Sequence, residues 1–553
     1  MKRKTLIVVG ILSLIVSCQN ELPIDLAQPE VPPIAEQQEE FVPSDGMMQL
    51  GRKLENPYSL ENMRRALNLL PAESRSGFSV EDIQPTHLYV KFKPKNVDEL
   101  DAMLWSDSSL DFYDHPLDYE VVSSGRYYHD PSLPEGVPTY YYVSIPVGHP
   151  IPEVCEYEIL EELYIPDELT DYTRTLSPSF INAIVKKSFE LTGNEYECDA
   201  VATRSDGTTR ASYSFGGQIR VYDSWIGEYV PVAGAKIKCK NWYSTKSAYT
   251  DENGEYLIVR NSLNRYTYYI YWERSNKYDI RDGNLDQAIT NGPETSGGWS
   301  LDISGLTMPK DKNFATINRA AYRYFYGNRG GIHQQEPPST GNLKICYMHN
   351  KAHEQGWMGY FSPSVSFGIT GDIWIYCKDL EGVAYSTELL FSTAVHEMGH
   401  ANMYSTKTLV SYNATDSFIK ESWSEFIQGY LTYLEYGELG KYDMESFSFE
   451  DYCKTFTIGI EGAWNWNSNS NSKYSSLFID LYDDWNQRIK KGQNINYPND
   501  SITGYTPETL NTIVNTSETL NDIRTKLKAN KPLGVTDAMI DELIDFYNAY
   551  KPE

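Results

Sequence analysis

No two of the seven cysteines stand in a C-x-x-C pair, no histidine follows position 400, and basic residues are scarce, 48 against 76 acidic ones. The missing pair argues against a cysteine zinc site. The net charge of −28 argues against nucleic acid, whose phosphates such a surface repels, and against docking on anionic lipid by charge alone. No apolar run beyond the first sixteen residues approaches the roughly 20 residues that a spanning helix needs. No internal repeat is present, so solenoid and propeller architectures are excluded. The lack of late histidines matters most, because it restricts what could complete a metal site in the last quarter of the chain.

What is present is a chain of 553 residues, 41% hydrophobic, with 44 tyrosines, enough for about three or four domains with real cores. Met1-Lys2-Arg3-Lys4 is a basic start, and Thr5 to Val16 is an apolar stretch of signal-peptide length. It ends in Leu14-Ile15-Val16-Ser17-Cys18, which resembles the lipobox of bacterial lipoproteins. The resemblance implies cleavage before Cys18, lipidation of its thiol, and anchorage at the cell envelope, on the outer membrane of a Gram-negative bacterium. Residues 18–48, rich in Pro, Glu and Gln, then read as a flexible tether.

The fold class expected is multi-domain α+β. Residues 49–212 read as an α+β domain. Helices start at Ser59, Asn96 and Pro178, and strands run over Leu88–Phe92, read as half-buried, and Tyr140–Ile145. From 213 to 305 short strands and turns take over, with Asn253-Gly254 predicting a hairpin. Val232-Ala233-Gly234-Ala235-Lys236-Ile237 and Thr250-Asp251-Glu252-Asn253-Gly254-Glu255-Tyr256 resemble the transthyretin-like β-sandwich appended to carboxypeptidases. That resemblance implies a spacer or docking module. Residues 306–553 carry a helix over Ala315–Tyr326, strands over Leu343–Tyr347 and Ile369–Cys377, and a largely helical C-terminal part. Cys346 and Cys377, on those two strands, are the pair to test for a disulfide, with buried free thiols the alternative.

His396-Glu397-Met398-Gly399-His400 lies in a segment that reads as a helix capped by Ser386. At 3.6 residues per turn both imidazoles leave one face, one turn apart, which suits two ligands on a single Zn²⁺. Glu397 is placed to hold a water and take its proton, the chemistry that a zinc hydrolase needs. Thr406 stands where a third histidine would follow in a metzincin, so the third ligand of a three-residue site must be acidic. The helix starting near Asp416 offers Glu421 and Glu425, one turn apart and opposite an apolar stripe of Ile419, Trp423, Phe426 and Tyr430. The ordinary reading of that placement is a solvated face. His349 and His353 share the i,i+4 spacing but follow a strand directly and read as a loop pair.

H-E-x-x-H followed some twenty residues on by a helical Glu resembles the gluzincin metallopeptidases, which include thermolysin-like and aminopeptidase-N-like enzymes. Lys420-Glu421-Ser422-Trp423-Ser424-Glu425 matches their Asn-Glu-Gly/Ala-x-x-Asp/Glu segment in part, with Lys420 in place of Asn. The resemblance implies a zincin-like catalytic domain with one zinc per chain, ligated by His396, His400 and Glu421, and Glu425 as the acceptor that orients a ligand imidazole. It also implies a helical second wall to the cleft. No Gly-x-Met-Glu-Asn segment precedes the motif, which disfavours an aminopeptidase. No downstream histidine is present to hold an oxyanion, so Tyr474 is the candidate donor. The expected substrate is a peptide or glycoprotein. An enhancin-like glycopeptidase acting on mucin-type glycoproteins and a non-catalytic surface binding lipoprotein are the alternatives.

Overall fold

The computed structural model describes residues 46–166, 178–194, 213–332, 342–362, 371–455 and 474–550, less a few isolated positions, with two-residue strands at Val16–Ser17 and Thr203–Arg204. Cys18, Cys198, and most of the leader and tether lie outside the described residues. The protein is a mixed α+β, multi-domain chain with several small sheets and, among the described residues, thirteen α-helices. No helix among them is long and apolar enough to cross a membrane.

The N-terminal part is built on a three-stranded antiparallel sheet with His87–Lys93 between Tyr141–Pro146 and Glu156–Leu163. Its helices start where hydroxyl and amide caps stand: Ser59 accepts from the Asn62 N–H and Asn96 from the Glu99 N–H. The central strand is not half-buried. Tyr89 enters a core with Met63, Leu67 and Ile184, while Val90 and Phe92 enter another with Met103 and Ile145. Both faces are covered because helices Leu60–Leu69 and Pro178–Leu191 pack on one side, and helix Val97–Ser106 with the loop around Leu110–Phe112 on the other.

Two sheets follow. One orders Ser244–Tyr249, Lys236–Asn241, Tyr266–Tyr271 and Ile289–Thr295; the other is centred on Tyr213–Asp223, flanked by Glu255–Arg260 and Leu301–Ile303. Ile219, Val221, Ile237, Ile258 and Ile270 share the core, and the Tyr256 and Tyr268 rings meet between the sheets. Asn253-Gly254 does turn the chain, with Gly254 at φ +72°. It is not a hairpin, however: Ser244–Tyr249 pairs in one sheet and Glu255–Arg260 in the other. The turn is a crossover, and it requires glycine, since a Cβ at Gly254 would come 2.4 Å from the Ile219 carbonyl oxygen of the second sheet.

The sheet beside the H-E-x-x-H helix orders Val16–Ser17, Gly359–Phe361, Ile373–Tyr376, Leu343–Met348, Tyr278–Asp282 and Glu273–Arg274, with Asp286–Gln287 added to Tyr278–Asp282. Leu343–Met348 runs parallel to both its neighbours and is buried throughout, as an interior parallel strand must be. Tyr278–Asp282 belongs to this sheet although it falls in the stretch 213–305. Gly359–Phe361 is antiparallel to Ile373–Tyr376. Cys346 lies opposite Trp374, so Cys377 stands three residues farther along, roughly 10 Å away at strand spacing and beyond disulfide reach. Both thiols are free and buried.

Helix Pro309–Phe325 ties the parts together. Arg319 pairs with Asp223 at 2.8 Å and with Glu435 at 3.0 Å, Arg323 pairs with Glu435 at 2.7 Å, and the Tyr436 hydroxyl donates to Asp223 at 2.9 Å. All of these side chains are buried. The network fixes how helix Ser417–Glu438 sits against the sandwich and the sheet. Ser224, next to Asp223, bonds through its N–H to the Thr387 hydroxyl at 2.7 Å, tying the sandwich to the first turn of helix Thr387–Thr406.

Candidate metal centre

Helix Thr387–Thr406 starts at Ser386, whose hydroxyl accepts from the Leu389 N–H. It is buried nearly all round from Leu390 to His400, so neither imidazole reaches solvent. Helix Ser417–Glu438 starts at Asp416, whose carboxylate accepts from the Phe418 N–H. The alternative of a solvated face is absent: every side chain from Phe418 to Tyr436 is buried. Glu421 and Glu425 therefore face protein. The two helices close on each other at Gly399 and Ser424. A Cβ on Gly399 would come 3.0 Å from Ser424 Oγ and 3.1 Å from Ser424 Cα. The glycine of the motif thus permits the approach that carries Glu421 to the imidazoles.

Glu421 Oε2 lies 3.6 Å from His396 Nε2 and 3.4 Å from His400 Nε2. Ligand atoms of these three residues fall within 4.8 Å of one another, the sole such group of His, Cys, Asp or Glu among the described residues. Tetrahedral zinc with bonds of ~2.0–2.1 Å sets its ligands roughly 3.4 Å apart, so the donor set fits the ion in kind and in spacing. Neither ring nitrogen of buried His400 makes a hydrogen bond, which is the state that a metal ligand would satisfy. Burial alone would raise Glu421. The charge of His400 and the close approach of both imidazole Nε2 atoms outweigh it and hold the carboxyl down at about 2.

The acceptor nearest the outer nitrogen of His396 is one that the sequence reading passed over. Gln428 Oε1 stands 2.8 Å from His396 Nδ1, whereas Glu425 Oε2 is 3.5 Å away. Ser392 donates to the Leu389 carbonyl and so is left to accept from Gln428 Nε2, which turns Oε1 toward the ring. Nδ1 then carries the proton and Nε2 keeps its lone pair for a cation. Gln428 follows Glu421 by seven residues and Glu425 by three, a helical spacing that could have found it. Burial pushes Glu425 up to about 7, against the hydrogen bond and charge of His396.

A small cleft reaches His396, Glu397, Glu425 and Gln428, and Tyr474 and Met358 complete its walls. His400 and Glu421 do not line it. Strand Gly359–Phe361 runs directly over Glu397: a Cβ on Gly359 would come 3.1 Å from Glu397 Oε1 and 3.0 Å from Thr393 Cγ2. Tyr474 sets its ring 6.0 Å from that of His396. It does not start a longer helix, since the helix after it covers only Leu477–Asp480.

No protein-family model, no curated protein and no solved structure matches this chain.

The remaining histidines stay apart. In the loop between Met348 and Gly359, His349 Nε2 meets the Asn350 amide at 2.8 Å, and His353 Nδ1 accepts from the Gln355 N–H at 3.2 Å. His87, His115, His129 and His149 bond to Thr86, Asp114, the Val137 carbonyl and Asp107 respectively.

Proposed function

We propose that this chain is a zinc-dependent endopeptidase of gluzincin type. One observation carries the reading: Glu421 meets both motif imidazoles at 3.4–3.6 Å, and Glu397 is outside that trio and opens onto the cleft. His396, His400 and Glu421 would hold a zinc ion, which would supply a Lewis acid able to polarise a carbonyl oxygen and to lower the pKa of water to about 7. Glu397 takes the proton of the attacking water and passes it to the departing amide nitrogen. Gln428 keeps the His396 ring in one tautomer. Tyr474 donates its phenol O–H toward the charge that develops on the carbonyl oxygen.

An extended peptide is the substrate that the surroundings favour. Strand Gly359–Phe361 pairs with extended main chain beside Glu397: the two-residue strand Val16–Ser17 lies antiparallel along its outer side. Such a strand binds main chain through backbone hydrogen bonds and leaves side-chain choice to neighbouring pockets. The proposal includes a lipid anchor at Cys18, which would hold the enzyme at the cell envelope.

Zinc analysis paired with peptide digestion tests the reading. Purified protein should carry close to one zinc, and Glu397→Gln should keep the metal and lose hydrolysis. Metal without turnover on a broad peptide library would leave a binding protein instead. Cleavage of mucin but not casein would mark a glycopeptidase.

A further inference from the structure

A second cluster of buried oxygen atoms lies between helix Leu477–Asp480 and the segment around Asp500. Asp480, Asp483 and Asp500 are each more than nine-tenths buried. Asp480 spends both oxygens, accepting from Gln487 Nε2 and from the Tyr547 hydroxyl at 2.5 Å each. Asp483 and Asp500 each place one oxygen on their own backbone, at the Trp485 and Ile502 N–H groups. Their other oxygens, Asp483 Oδ2 and Asp500 Oδ2, make no hydrogen bond among the described residues, and neither does Gln487 Oε1.

Among the described residues, no basic side chain forms an ion pair with these acids. Burial raises Asp483 and Asp500 well above the carboxylate range, and the charges that add to it are acidic: Asp480, Asp484 and, for Asp483, Glu450. The nearby cations look elsewhere. Arg488 bonds to the Tyr497 carbonyl and Glu542, while Lys490 and Lys491 lie over the rings of Trp485 and Tyr497. Isolated buried carboxylates cost several kcal/mol each unless a cation or a proton neutralises them.

We propose that Asp483, Asp500 and Gln487 bind a hard divalent cation, calcium, through their unpartnered buried oxygens, with Asp480 holding Gln487 and Tyr547 around it. All-oxygen donors exclude zinc as the natural occupant. Calcium accepts irregular oxygen cages, whereas magnesium demands near-octahedral geometry and keeps its waters. The cation would brace the chain just after Tyr474. Ser475 meets Ser422 of the Glu421 helix at 2.8 Å, and Ser476 bonds to both Tyr547 and Gln487. The site shares no residue with the zinc trio, so either can fail alone.

The test uses the zinc-loaded full chain, stripped with a calcium-selective chelator, then titrated calorimetrically with calcium chloride and, separately, with terbium followed by luminescence sensitised through Trp485. Expected are one saturable calcium per chain, a melting temperature raised by several degrees, and at least about tenfold weaker binding in Asp500→Asn and Asp483→Asn, since calcium affinity follows ligand charge. Zinc content should not change in either variant. Wild-type protein that takes up no calcium overturns the proposal and leaves the acids neutral by protonation. Calcium binding equal in wild type and both variants places the ion elsewhere and overturns it too.

Discussion

Gln428 Oε1 is nearer to His396 Nδ1 than any carboxylate is, at 2.8 Å against 3.5 Å for Glu425. An amide in that position orients the ring without adding a charge. Replacing Gln428 with Ala should weaken zinc binding about 10–100-fold, as loss of a ligand's supporting hydrogen bond usually does. Competition with a chromogenic chelator measures it. Glu425→Gln, by contrast, should change affinity less, and an equal loss in both would make Glu425 the partner that matters.

Gly399 should not tolerate even one added methyl. With Ser424 Oγ at 3.0 Å and Ser424 Cα at 3.1 Å from the new Cβ, the helices must part by some tenths of an ångström. Gly399→Ala should cost about 1–3 kcal/mol by overpacking and lower zinc affinity with it. Urea melts and metal titration report the two effects, and an unchanged zinc affinity would show that the helix spacing does not govern the site.

Gly359 tests the cleft from the other side. A side chain there crowds Glu397 at 3.1 Å without touching His396, His400 or Glu421. Gly359→Val should keep zinc and lose most peptide turnover. Retained turnover would dissociate this strand from the chemistry.

Arg319 is the basic side chain that forms an ion pair with Asp223, and it shares Glu435 with Arg323. Arg319→Met leaves Asp223 buried and uncompensated, an expected loss of about 3–5 kcal/mol. A chemical denaturation midpoint that scarcely moves would refute this account of how the helices are held.

Asp279 gives a pH signature. Burial raises its carboxyl from 3.8 to about 6, with Glu273 adding and Arg281 and Lys344 opposing. The folded chain therefore keeps a proton that the unfolded chain loses first. Asp279 supports stability fully below 3.8, and that contribution is lost as pH rises through about 6. The loss amounts to ~3 kcal/mol at about 1.4 kcal/mol per pH unit. Asp279→Asn should flatten this slope between those limits in paired urea melts, and parallel slopes would count against it.

How far the site could be read in advance depended on the physics behind each signal. The i,i+4 histidines and the caps at Ser386 and Asp416 are local rules, and the structure has both helices starting at those residues. The side of helix Ser417–Glu438 that carries Glu421 was legible, but its complete burial was not, because an amphipathic pattern leaves a solvent side open and this helix has none through Tyr436. Gln428 was missed because attention rested on charge, although it shares a face with Glu421. Gly359 and Ser424 matter only through close approach across the chain, which no periodicity reveals. The Asn253-Gly254 turn shows the same limit: local residues dictate the bend, and the sheet that each arm joins is decided by distant partners.

The salt-bridge network around Arg319 bears on how the chain can be cut. Asp223 anchors that arginine, and Tyr278–Asp282 pairs with Leu343–Met348 inside the sheet beside the metal helix. A fragment beginning at residue 306 would lack an interior strand of its own sheet and the anion that holds its arginine. The stretch 213–305 is thus a structural part of the unit that brings His396, His400 and Glu421 together, and a fragment that keeps this trio in place has to begin at or before Tyr213.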